Sequence, residues 1–312
     1  MGAFDPRIFR LDASGCNGCD VELVEMTALA PLAKLGVSLV DQPADANVLV
    51  VTGGANFKSR PELEAAYGAL QAPKIVVAVG SCAATMGIFK GGYAMAGPPD
   101  AALPVNLYIQ GCPPGPQAIF RALAHAFELP TSGLEHLLEV PAAHRGHPQV
   151  DQAKCIGCAA CVNVCPAQAI TLEDRNGERE IRFTHQDCIF CATCQDVCPS
   201  QAISLDTQVA PWFGAKDASH SISRQPLAQC LACGGAYAPA EQIRWSMKKI
   251  AETIAMDANV QAQFERSIAI CPACRRSSLA ESRHAKAILT WVTREASRRP
   301  ANGGVESKRS GR

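Results

Sequence analysis

CIGCAACVNVCPAQAI, residues 155–170, returns 33 residues later as CIFCATCQDVCPSQAI, residues 188–203. Each run spaces four cysteines by two, two and three residues and then places a proline. The first quartet is Cys155, Cys158, Cys161 and Cys165, and the second is Cys188, Cys191, Cys194 and Cys198. The flanks recur with the cysteines, so one structural unit is used twice. Asn176-Gly177 between the quartets predicts a hairpin turn. Zinc commonly takes its ligands as two pairs, which does not account for two linked quartets that each end in Cys-Pro.

The chain around this repeat has 312 residues, enough for two or three domains, and 48% of them are hydrophobic, so a core can be buried. Its 16 cysteines come in tight C-x2-C groups within a long chain. That pattern suits metal chelation better than cross-linking. Acidic and basic residues balance at 29 each, with no basic patch for nucleic acid and no acidic tail. Residues 1–10 show no positive region followed by an apolar one, and no twin arginine. Apolar runs such as residues 75–79 are too short to span a bilayer. The expectation is a reducing, cytoplasmic setting, with the protein soluble or peripheral to a membrane.

The repeat resembles the two-cluster bacterial ferredoxins over its whole length, an α+β fold carrying two [4Fe–4S] clusters. Three closely spaced thiolates wrap one corner of a cube, and the turn aims backbone N–H groups at the sulfides. The proline turn directs the fourth thiolate to the other cluster. The resemblance therefore implies one cluster on Cys155, Cys158, Cys161 and Cys198, and another on Cys165, Cys188, Cys191 and Cys194. Residues 150–206 are read as this domain, preceded by a Pro/Gly/His linker, residues 141–149. His144 and His147 in that linker are expected to be solvated.

The segment before it, residues 1–140, alternates short apolar runs with helical stretches. Residues 47–51 (NVLVV), 74–79 (KIVVAV) and 105–109 (VNLYI) read as buried strands, and residues 116–127 as a helix. Continuous apolar strands between helices predict a parallel α/β sheet. Such sheets bind ligands beyond the carboxyl ends of their strands. Cys82 and Cys112 fall at two of those ends. With Cys16 and Cys19 they make four thiolates, each within two residues of a glycine, and glycine lets a backbone approach a bulky cluster.

Cys16-Asn-Gly-Cys19-Asp-Val-Glu, Gly80-Ser-Cys82 and Gly111-Cys112-Pro-Pro-Gly resemble the small subunit of nickel–iron hydrogenases and the related cluster-bearing subunit of complex I. The resemblance implies a flavodoxin-like fold and a proximal [4Fe–4S] cluster on Cys16, Cys19, Cys82 and Cys112. Complex I subunits carry adjacent cysteines at the first position. The separation here is similar to the membrane-bound, energy-converting hydrogenases, including formate hydrogenlyase. Glu22, three residues past Cys19, is either a proton-transfer group facing the large subunit or a carboxylate placed by the helix dipole.

Residues 207–296 carry Cys230-x2-Cys233 and Cys271-x2-Cys274 around a long helical stretch, residues 240–264. Two such knuckles predict one tetrahedral zinc, then a single iron, then a fourth cubane. This segment is similar to the tail of the formate hydrogenlyase ferredoxin-type subunit, which would make the chain a fusion of two subunits. His125 and His284 read as packing or surface residues, and Trp245 and Trp291 as core. The polar tail, residues 297–312, reads as disordered. The resemblances imply three [4Fe–4S] clusters and one zinc or iron ion. They imply a nickel–iron large subunit, an iron–sulfur or ferredoxin-like donor and membrane-anchor subunits as partners, on the inner face of the cell membrane. The rival readings are a complex I-like quinone module, a soluble redox module and a zinc-bound scaffold without redox work.

Overall fold

The computed structural model describes residues 4–139, 146–206, 213–214, 219–254, 258–281 and 290. The chain divides into two compact units, Met1–Gln225 and Pro226–Arg312. The first holds both the N-terminal sheet and the cysteine repeat.

The sheet is built from β1 (Arg7–Asp12), β2 (Ser38–Leu39), β3 (Val48–Thr52), β4 (Ile75–Val79) and β5 (Leu107–Ile109). All are parallel, in the order β2-β1-β3-β4-β5. That is the flavodoxin-like order, whose direction reverses beside β1. Phe213–Gly214 adds an antiparallel edge outside β5. All of β3 is buried, and its side chains alternate between faces. Val48 and Val50 pack with Leu23 and Met26 of α1 (Gly18–Leu29) and Ile119 and Phe120 of α4 (Pro116–Ala126). Leu49 and Val51 pack with Leu63 and Ala66 of α2 (Ser59–Ala69). A short α3 (Ser81–Thr85) follows β4 directly.

The expected strands over residues 47–51, 74–79 and 105–109 match β3, β4 and β5 within one or two residues. β1 carries no continuous apolar run. Its RIFRLD is interrupted by Arg7, half-buried, and Arg10, exposed, and only Ile8 and Leu11 are buried.

In the repeat, β6 (His147–Val150) pairs antiparallel with β9 (Ile203–Asp206), and β7 (Ile170–Arg175) with β8 (Glu178–Phe183). Arg175 and Glu178 are partners, so Asn176 and Gly177 alone close the hairpin, with φ of 51° and 79°. Two positive φ values mark a type I′ turn, which Asn-Gly favours. β10 (His220–Gln229) lies beside β8. Ile170, Ile181 and Phe183 form the core, against Cys161, Cys165, Cys188 and Cys194.

The solvated reading of His147 is corrected. It is 1% exposed, on β6, among the rings of Phe183, His185 and Phe190. Its strand carries it under the repeat. His144, His284, Trp291 and residues 297–312 lie outside the described residues. His125 is exposed on α4, and Trp245 is half-buried.

In the second unit, Leu227–Gln229 of β10 pairs with β11 (Ala236–Pro239). The single helical stretch expected over residues 240–264 is two helices, α5 (Ala240–Thr253) and α6 (Ala258–Ile268). Ile254 is extended (φ −124°, ψ 119°) and ends α5. Helical periodicity runs through both helices and does not reveal the break. Helix α7 (Pro272–Glu281) starts within the second knuckle. Among the described residues no helix is long and apolar enough to cross a membrane.

Candidate metal centres

The N-terminal quartet lies beyond the carboxyl ends of β1, β4 and β5. Asp12, the last residue of β1, accepts the N–H groups of Ser14 and Gly15 (3.0 and 2.9 Å) and turns the chain toward Cys16. Asn17 takes a left-handed φ of 65°, and α1 begins with Cys19 in its first turn. Asp20 beside it is held by Arg10 and by the Thr52 hydroxyl, both at 2.8 Å. Gly53 after β3 nearly touches this loop, and a Cβ there would stand 2.5 Å from the Gly15 nitrogen. At Gly80 (φ +91°) a Cβ would stand 2.4 Å from Cys19 Sγ. Both glycines are required by close approach.

The four thiols lie close enough to feel one another's charge. Burial lifts the Cys19 thiol far above its usual range, and repulsion from Cys82, Cys112 and Cys16 adds to this. Cys82 is pushed up to about 11 by burial and then by Cys112 and Cys16. Cys112 is raised by burial, by Cys16 and by Cys191 of the repeat. Cys16 and Cys112 remain exposed. Glu22 on α1 is half-buried, and its carboxyl is raised by burial and then by Glu25.

In the repeat, one cavity is lined by Cys155, Cys158, Cys161 and Cys198, and a second by Cys165, Cys188, Cys191 and Cys194. Each gathers three cysteines of one run and the last of the other. Ala169 and Ala202 donate equivalent backbone hydrogen bonds, both 3.2 Å, to Cys165 Sγ and Cys198 Sγ. Burial pushes Cys161 up to about 12, with Cys158, Cys155 and Cys194 adding repulsion. It pushes Cys188 up to about 12 and Cys194 to about 11, and Cys165 adds to both.

Side chains from the sheet edge fasten the two regions. The Cys188 carbonyl accepts from Gln110 Nε2 (3.0 Å) and lies 3.2 Å from Ser81 Oγ. Thr85 Oγ1 lies 3.3 Å from the Gln186 carbonyl, and Lys90 pairs with Asp187 at 3.5 Å. None of these polar residues carried a signal in the sequence, because their partners are about a hundred positions away.

The C-terminal group is tighter. Its four ligand atoms, from Cys230, Cys233, Cys271 and Cys274, lie within 4.8 Å of one another, and no other such group of His, Cys, Asp or Glu stands out among the described residues. Zinc at about 2.3 Å from each of four tetrahedral sulfurs needs them about 3.8 Å apart. Cys233 Sγ and Cys271 Sγ are 4.0 Å apart. The Cys230 thiol is drawn down to about 6 by the Cys271 backbone N–H, 3.1 Å from its sulfur, among other donors. The spacing fits one ion.

Residues 16–126 match the family described as NADH ubiquinone oxidoreductase, 20 kDa subunit, and residues 154–202 match the 4Fe-4S dicluster domain. A probable membrane-bound hydrogenase subunit of Pyrococcus furiosus is 35% identical over 126 residues, 39% of this chain and 74% of that one. The chain belongs to the 20 kDa subunit family. Subunit 7 of Escherichia coli formate hydrogenlyase is 35% identical over 125 residues, 39% of this chain and 48% of that protein, so the chain spans about half of that relative. An NADH-quinone oxidoreductase subunit of Heliobacterium modesticaldum is 32% identical over 130 residues, 40% of this chain and 74% of that one. The 20 kDa family region contains the N-terminal quartet, and the dicluster region contains all eight cysteines of the repeat. The C-terminal knuckles lie outside both.

Two outcomes test the fit. Gly80→Ala places a methyl group where Cys19 Sγ sits and should cost about four irons per chain, leaving the repeat loaded, as read by iron analysis and EPR. Cys230→Ser with Cys233→Ser should release one metal ion without acid-labile sulfide and loosen the second unit to protease.

Proposed function

We propose that this chain is the electron-transfer subunit of a membrane-associated nickel–iron hydrogenase complex of the formate hydrogenlyase type. The observation that carries this is the placement of three cysteine quartets in one compact unit. Cys112 of the sheet edge lies within electrostatic reach of Cys191 of the repeat, and Cys161 within reach of Cys194. The relatives in membrane-bound hydrogenase and formate hydrogenlyase support the setting.

When bound, three [4Fe–4S] clusters supply reversible one-electron chemistry. The protein's own residues set the order. Cys155, Cys158, Cys161 and Cys198 hold the outer site, and Cys165, Cys188, Cys191 and Cys194 the middle one. Cys16, Cys19, Cys82 and Cys112 hold the site nearest the large subunit. Ser81 and Gln110 fix the gap between the last two by gripping the Cys188 carbonyl. The Cys230 group holds one zinc or iron as a staple for the second unit.

The exposed residues Cys16 and Cys112 mark the face that meets the nickel–iron large subunit. Val21 and Val24 of α1 are 62% and 66% exposed beside them. Apolar residues on an outward helix face suit a partner better than water. Glu22 stands between these valines on the chain, half-buried and easier to protonate than an ordinary carboxylate, as a proton-transfer group at that interface would be. An iron–sulfur or ferredoxin-like donor meets the outer site. Anchor subunits hold the complex at the cytoplasmic face of the membrane. A complex I-like quinone module is the second reading, supported by the NADH-quinone oxidoreductase relative and weakened by the separation of Cys16 from Cys19.

Cys165→Ser tests the ligand exchange. EPR of the reduced protein should show damage to the cluster on Cys188, Cys191 and Cys194, with the cluster on Cys155, Cys158 and Cys161 intact. The reverse pattern would sink the assignment. Val21→Asp with Val24→Asp should abolish co-purification with a nickel-containing subunit while iron content stays native. Undiminished co-purification would place the interface elsewhere.

A further inference from the structure

Ser223 lies on β10, beyond the residues that match the dicluster domain. It is 1% exposed, and its hydroxyl lies 3.1 Å from Cys155 Sγ, 68 positions away. The strand is held so that this hydroxyl faces the sulfur. Gln152 grips it on both sides: its Nε2 donates to the Ile222 carbonyl (3.0 Å), and its Oε1 accepts from the Arg224 N–H (3.4 Å). Arg224 pairs with Glu180 of β8 at 3.0 Å. The alternation of the strand then turns Ser223 inward. A buried hydroxyl aimed at a thiolate is a donor in position.

We infer that Ser223 is a positioning residue that raises the reduction potential of the outer cluster by donating a hydrogen bond to Cys155 Sγ. The inference rests on the cluster reading of the Cys155, Cys158, Cys161 and Cys198 quartet. Reduction adds negative charge that spreads onto the ligand sulfurs. A donor stabilises the reduced form more than the oxidised one, so the potential rises. Arg179 is the nearby charge that could do the same, since it donates to the Gly157 carbonyl (3.1 Å). Its guanidinium is matched by Asp174 through two 2.8 Å contacts, so its charge is balanced. Ser223 has no such counterweight. It would set the potential at which the outer site accepts electrons from its donor.

The test uses the full chain, prepared anaerobically with its clusters, as native protein, Ser223→Thr and Ser223→Val. Threonine and valine share a shape and differ in the donor. Redox titration followed by EPR reads each midpoint, and iron analysis reads occupancy. Ser223→Val should lower one midpoint so that the reduced-to-oxidised ratio at fixed poise falls about tenfold, ~59 mV for one electron. Ser223→Thr should keep the native midpoint, and all three proteins should hold equal iron. An unshifted midpoint in Ser223→Val at full iron overturns the inference. So does a shift in Ser223→Thr as large as in Ser223→Val, because shape rather than the donor would then be responsible. Should valine shed the cluster, Ser223→Ala is read by the same criteria. If the native protein shows no four-iron signal that Cys155→Ser removes, the cluster reading fails instead.

Discussion

Gathering thiolates away from water is the constraint on which the rest of the first unit depends. Burial and mutual repulsion hold the thiols of Cys19, Cys82, Cys161, Cys188 and Cys194 above their ordinary range. A protein built only to fold would spread such groups apart. This one uses glycines to bring them together, with Gly80 at φ +91° beside Cys19 and Gly53 close against Gly15, where a Cβ would not fit. The arrangement is coherent once cationic iron draws the protons off and balances the charge. The sheet serves that purpose. Its parallel strands end on one edge, so loops far apart in the chain deliver cysteines to one place.

The second unit solves the same problem with different tools. Backbone N–H groups around Cys230 favour its thiolate before any metal arrives, which draws it down to about 6. Its four sulfurs are close enough for one ion and too close for a cube. On the proposed reading the chain separates metal as a redox carrier from metal as a staple.

The eight cysteines of the repeat were legible because their spacing is local, and because the second run repeats the first together with its flanks, on either side of the hairpin at Asn176-Gly177. The parallel strands were legible because burial on both faces writes a continuous apolar run, as in β3. β1 was not, since Arg7 and Arg10 interrupt it, although its end launches the loop to Cys16. His147 looked like linker because proline and glycine surround it, yet it pairs with Asp206 in a sheet that only the fold creates. The grip of Ser81 and Gln110 on the Cys188 carbonyl, and of Ser223 on Cys155, leaves no trace in sequence. Each joins ordinary polar residues at long separation.

The central claim is that three clusters stand in a line within one chain, the middle one next to both others. Pulsed EPR of the fully reduced protein measures this directly through dipolar coupling between the cluster spins. The account predicts strong coupling of the middle cluster to the N-terminal and outer clusters, and weaker coupling between those two. Three magnetically isolated signals, or a strongest coupling between the outer and N-terminal clusters, would contradict it.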